Sequence, residues 1–102
     1  MYFVTYRNVL QQGKTFEDYR KGFTHVWQTL RREWGATHIE MYRPLYDESG
    51  AFYSRYTIQS LDTWNENLQS PRFAEMLRHL GSILDLTQSQ VEVSVVLETG
   101  VT

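Results

Sequence analysis

MYFVTYRNVL-QQGK-TFEDYRKGFTHVWQTLRREWG, residues 1–35, reads as a strand, a turn and an amphipathic helix, and the rest of the fold follows from that order. In the first ten residues Tyr2, Val4, Tyr6, Asn8 and Leu10 alternate with Phe3, Thr5, Arg7 and Val9. Alternation of this kind is the period of a strand with two usable faces. Gln11-Gln12-Gly13-Lys14 supplies the turn. Thr15 is a good helix N-cap, and Glu17 and Asp18 put negative charge where the helix dipole favours it. Phe16, Tyr19, Phe23, Val26, Trp27, Leu30 and Trp34 then recur at three- and four-residue steps. They form a stripe roughly 100° wide, enough to cover a sheet. Gly35, after Arg31 and Arg32, closes the helix as its C′ residue.

Working outward, Thr37–Tyr46 and Ala51–Gln59 read as a hairpin around Asp47-Glu48-Ser49-Gly50, a reversal signal. Ile39, Met41 and Leu45 share one face, as do Phe52, Tyr56 and Ile58. His38, Glu40, Tyr42, Tyr53, Arg55 and Thr57 take the other. A second helical region begins near Ser60–Asp62 and holds Trp64 and Leu68. Ser70-Pro71 restarts it, Ser as cap and Pro at the first helical position. Phe73, Met76, Leu77, Leu80, Ile83 and Leu84 are the expected core face, and Gly81 marks close packing. Gln90–Thr99 is the last expected strand, with Val91, Val93, Val95 and Leu97 on one side.

The order β-α-β-β-α-β with right-handed crossovers predicts an α+β domain spanning residues 1–102. Its four-stranded antiparallel sheet carries both helices on one face. The other face then carries Phe3, Val9, Tyr42, Tyr53 and Val96 among Arg7, Glu40, Arg55 and Glu92. A solvated face would be mostly polar, and a buried one would avoid charge unless the charges pair. The mixture predicts a face covered by a like face, hence a homodimer whose closure also protects edge strands.

Composition removes several function classes. A net charge of −2 gives no basic surface for nucleic acid. Without cysteine there is no disulfide, thiolate nucleophile or iron–sulfur site. Met1–Leu10 lacks the pattern of a signal peptide, and no stretch approaches membrane-spanning length, so a cytoplasmic protein is expected. The aromatic fraction is 15%, so rings build the core or line a pocket. An open sheet with exposed rings also has the outline of an RNA-recognition layout, but the Gly-and-aromatic strand signature is missing.

Ser60–Leu80, SLDTWNENLQSPRFAEMLRHL, combines a strand end, a Trp-bearing helical turn and a Ser-Pro-x-Phe restart. With the element order, it resembles the dimeric α+β barrel superfamily, in particular the antibiotic biosynthesis monooxygenase-like group. The resemblance implies a ferredoxin-like protomer that dimerises into an α+β barrel. It also implies an oxidoreductase needing no cofactor, in which the deprotonated substrate itself reduces dioxygen. Haem-degrading relatives use an Asn on the first strand, where Asn8 stands. Alignment through Ser-Pro-x-Phe puts Asn67 at their Trp position and Leu77 at their His ligand, so haem degradation is not expected.

Candidate ligand-binding residues are Asn8, Tyr6, Trp27 and Trp64. Asn8 is an amide on the helix-covered side, where a polar group needs partners. Tyr6 neighbours it, and Trp27 and Trp64 face the same layer, as do Tyr2 and Tyr56. His25 and His79 point away from their apolar stripes and His38 sits among polar neighbours. No pair has ligand spacing, so no metal is expected. Glu40, Arg55, Glu92 and Arg7 read as structural pairs. The expected function is binding of a small aromatic molecule, with monooxygenation of an aromatic or polyketide-like compound. The alternative is a non-enzymatic structural, stress or regulatory dimer module.

Overall fold

A computed structural model describes residues 1–98 and residue 100. The elements are β1 (Tyr2–Asn8), α1 (Phe16–Glu33), β2 (Ala36–Tyr42), β3 (Phe52–Ile58), α2 (Leu61–Leu68), α3 (Pro71–Gly81), a short 3-10 turn (Leu86–Gln88) and β4 (Gln90–Val95). The strands form one antiparallel sheet in the order β2-β3-β1-β4. This is the expected α+β, ferredoxin-like arrangement. Among the described residues no helix is long and apolar enough to cross a membrane.

Local chemistry sets the helix boundaries. Thr15 and Asp18 form a reciprocal capping box: Thr15 Oγ1 accepts from the Asp18 N–H, and Asp18 Oδ2 accepts from the Thr15 N–H at 2.9 Å. Gly35 takes φ of +76°, a left-handed value open to Gly without strain, and turns the chain from α1 into β2. Ser60 and Ser70 cap α2 and α3, and Pro71 stands in the first turn of α3. The second helical region is thus broken where Ser70-Pro71 was expected to break it.

The core lies between α1 and the sheet. Tyr19, Phe23, Val26, Leu30 and Trp34 are buried against Val4, Phe52, Tyr56 and Ile58. Tyr19 stacks on Phe23 and meets Phe52 edge-on, and Trp64 meets both Trp34 and Tyr56. α3 docks on α1 at Gly22, where His79 Nε2 lies 3.1 Å from the Gly22 carbonyl oxygen. A Cβ at Gly22 would come within 2.7 Å of Ile83 Cδ1 and 3.2 Å of His79 Nε2.

Three expectations fail. β2 ends at Tyr42, so Leu45 leaves the Ile39–Met41 face and is 85% exposed in a turn. Pro44 has no N–H to continue the ladder and restricts Arg43 before it. β4 stops at Val95, and Thr99 lies outside the described residues. Its Val91, Val93 and Val95 pair with Tyr6, Val4 and Tyr2 on the helix side, yet all three are more than half exposed. β4 is an edge strand, and the helix layer does not reach it. Third, α3 buries none of its residues fully, although Phe73, Met76 and Leu80 pack on the core. Leu77 stays exposed, and the buried Ile83 and Leu84 follow the helix instead of belonging to it.

The helix-free face is ordered by its own contacts. Arg55 pairs with Glu40 at 2.6 Å and lies over the Phe3 ring at 4.3 Å, while Tyr42 and Tyr53 stack nearly parallel. His38 is within 3.5 Å of the same Glu40. Arg7 and Glu92, expected as a second pair, form no ion pair among the described residues. Arg7 reaches Ser49, and Glu92 accepts from Ser94.

The Gly22 contact sets a test. Gly22→Ala gains helix propensity of about 1 kcal/mol, which offsets displacement of two flexible side-chain ends. Gly22→Val should overpack the α1–α3 seam and cost about 1–3 kcal/mol in urea unfolding.

Candidate functional site

Asn8 ends β1, Ser54 sits mid-β3, and Tyr19 lies one turn inside α1, where the capping box fixes the start of that helix. The three meet on the covered side of the sheet. Asn8 Nδ2 donates to Ser54 Oγ at 3.0 Å, and the Tyr19 hydroxyl is 3.1 Å from the same oxygen. Asn8 and Tyr19 are almost fully buried and Ser54 completely so. Tyr56 lies beside Tyr19, and Tyr6 meets the Tyr56 ring edge-on at 5.9 Å.

Beside this cluster a cavity of about 110 Å³ runs between sheet and helices. The sheet contributes Tyr6, Asn8 and Tyr56, α1 contributes Tyr19 and Trp34, and α2 contributes Trp64. Phe73, Met76, Leu77 and Leu80 of α3 roof it. Leu77 and Leu86 are its exposed lining residues and mark the mouth. An engineered cavity of about 150 Å³ holds benzene, so this space is on the scale of one ring.

Burial is the main reason that the three tyrosine hydroxyls titrate above the ordinary 10.0. For Tyr56 the rise is large, and nearby Tyr19 and Tyr6 add to it. The bond to Ser54 offsets part of the rise at Tyr19, and the neighbouring Trp64 does so at Tyr6. At neutral pH all three are uncharged. Among the described residues no carboxylate, imidazole, ammonium or guanidinium lines the cavity. The site therefore offers a ligand apolar contact and neutral hydrogen-bonding groups, without a strong general base.

Of the four candidates from sequence, Asn8, Tyr6 and Trp64 line this one cavity. Trp27 does not. It is half-buried and stacks on Phe23, with centroids 6.4 Å apart. Tyr2 packs on the core without lining the cavity. Asn67 ties α2 to the end of α1 by donating to the Glu33 carbonyl oxygen, and Leu77 stands at the mouth. The three histidines are exposed, and among the described residues no three or more His, Asp and Glu gather as a metal site would require. Sequence reasoning missed Ser54 and the role of Tyr19. For Ser54 a signal existed: it is the one polar residue alternating with Phe52, Tyr56 and Ile58.

Two outcomes test the cluster. Ser54→Ala strands the Asn8 amide and the Tyr19 hydroxyl, each at about 1–3 kcal/mol, and should lower stability by roughly 2–6 kcal/mol in denaturant unfolding. The raised tyrosine pKa values stabilise the fold fully below pH 10.0, and that stability is lost as pH rises above it, because the unfolded chain ionises first. Stability should therefore be flat near neutrality and fall above pH 10.0, less steeply in Tyr56→Phe.

No family model and no curated protein sequence matches the chain. Solved structures do. SnoaB, a cofactor-independent oxygenase from Streptomyces nogalater, superposes with a TM-score of 0.75 at 13% identity, over 97% of this chain and 95% of that one. A candidate antibiotic biosynthesis monooxygenase from Deinococcus radiodurans gives 0.74 at 16% identity, over 100% and 98%. Rv0793 from Mycobacterium tuberculosis gives 0.71 at 17% identity, over 98% of each chain. At these identities the likeness concerns the backbone, and on it the chain has the ferredoxin-like fold of these three structures.

Proposed function

We propose that this chain is a homodimeric, small-molecule-binding α+β barrel protein that acts as a cofactor-independent monooxygenase on an aromatic or polyketide-like compound. The observation that carries the reading is the cavity itself. It is apolar, it is walled by rings, and Tyr6, Asn8 and Trp64 are among its lining residues. The fold shared with SnoaB, which is named as a cofactor-independent oxygenase, supports the reaction class. A hydroxyarene with an unsubstituted ring carbon plus O2 gives a quinone and water. One oxygen atom enters the ring carbonyl, the other leaves as water, and the substrate supplies all the electrons. The protein's part is to exclude water, orient the ring and hydrogen-bond its oxygens. With no strong base in the wall, the substrate must ionise readily by itself. Beyond one ring, a larger compound would extend through the mouth at Leu77 and Leu86.

One observation favours the non-enzymatic module. The Asn8 amide already donates to Ser54, which is what a structural amide does. Asn8→Ala separates the readings. In an enzyme it should weaken aromatic binding by about 1–3 kcal/mol, the cost of an unpaired buried polar partner. In a structural module it should lower the melting temperature alone.

Oxygen uptake with a panel of hydroxyarenes, in protein free of metal and flavin, checks the reaction. The expected result is one O2 consumed per quinone formed. The dimer rests on the helix-free face, where Tyr42–Tyr53 stacking and the Glu40–Arg55 pair leave a surface of rings and neutralised charge. Sedimentation at micromolar concentration should give twice the chain mass, and a clean monomer would remove the barrel.

A further inference from the structure

Trp34 closes α1, and Gly35 then turns the chain into β2. The indole lies edge-on to Trp64, centroids 4.9 Å apart, and tilted against Phe73 at 5.7 Å. It is 1% exposed, yet it lines the cavity. Its Nε1 is the one buried side-chain nitrogen or oxygen without a hydrogen-bond partner among the described residues. An indole N–H can only donate, and buried donors are nearly always paired. Two other polar groups of the wall, those of Asn8 and Tyr19, are engaged with Ser54. Trp34 and Asn8 also reach the wall from opposite ends of β3. Asn8 pairs with Phe52 at one end of β3, and Ala36, two residues after Trp34, pairs with Ile58 at the other. Those ends are six residues apart, or ~20 Å of strand.

We propose that Trp34 is a specificity-determining residue whose indole N–H donates to a carbonyl or phenolic oxygen of an aromatic ligand. The ring occupies the cavity, and the oxygen is held at a subsite separate from Asn8. The inference rests on the reading of the cavity as a small-molecule site and extends it by naming the ligand's polar group. A hydrocarbon would leave the N–H unpaired. A benzoate-like ligand would have to enter already fully charged, with no cation among the described lining residues to meet it, whereas a phenol can enter neutral. The class that fits is an uncharged or weakly acidic ring bearing one acceptor oxygen.

The test uses two probes matched in shape, acetophenone and α-methylstyrene, which differ in C=O against C=CH2. They are titrated into the full chain and into Trp34→Phe, which keeps a ring and removes the donor. The variant should bind acetophenone about tenfold more weakly, the loss of one hydrogen bond, and α-methylstyrene almost unchanged. In the wild type, the Trp34 indole ¹H–¹⁵N resonance should move downfield with acetophenone and not with the hydrocarbon. This second readout decides the matter if Trp34→Phe fails to fold. Equal losses for both probes overturn the donor role, as does an indole resonance indifferent to bound acetophenone. An N–H directed at the Trp64 or Phe73 ring would give that second result, and the cavity reading would stand. If neither probe binds the wild type at millimolar concentration, the cavity reading itself falls and this inference with it.

Discussion

The hydroxyl of Ser54 has no access to water, and through it β1, β3 and α1 are joined: the Asn8 amide reaches it from one side and the Tyr19 hydroxyl from another. In an apolar layer each of these groups would be costly alone and is cheap in company. The arrangement fixes the rotation of α1 over the sheet, because Tyr19 cannot keep its hydrogen bond if the helix turns on its axis. It also fixes the Phe23, Val26 and Leu30 stripe that follows Tyr19 along the same face. The register of β1 on β3, with Tyr6 opposite Ser54, leaves Asn8 within reach of the same hydroxyl.

A layer built so largely of rings does not fill space evenly. Tyr6, Tyr56, Trp34, Trp64 and Phe73 meet edge-on or tilted, and such contacts leave gaps that aliphatic side chains would close. Here the gap is gathered under α3. That helix is held by contacts along its edge and at its ends: the Ser70 cap, the ion pair of Arg72 with Glu33, and His79 against Gly22. A helix secured in this way can stand over a cavity without sinking into it. The space that permits a ligand and the incomplete burial of α3 therefore have one origin.

Much of the fold was legible because its signals are local. The Thr15 cap, the Tyr19–Phe23–Val26–Leu30 stripe of α1 and the Ser70-Pro71 break act within a turn or two, and each stands where the sequence placed it, although Phe16 at the head of the stripe is exposed. The hairpin was legible in kind but not in extent, since Pro44 ended β2 before Leu45 could join its face. β4 was read by alternation, which was correct, but alternation cannot show whether a helix reaches the edge of a sheet. In the site, Asn8 stood out as an amide on a covered face. Ser54 carried the same signal more weakly, as a small residue among rings.

The sequence by itself determined the order of elements, their caps and the side of the sheet on which each strand residue falls. Periods of two and of 3.6 residues, with capping hydroxyls, are properties of short segments. Only the tertiary structure decided that Asn8 and Tyr19, 46 and 35 residues from Ser54 along the chain, share its hydroxyl. Likewise it alone left the Trp34 N–H unpaired and Trp27 off the cavity wall. These outcomes depend on how the volumes of rings from five elements add up at one point. Volumes summed across distant segments leave no periodic trace in the segments themselves.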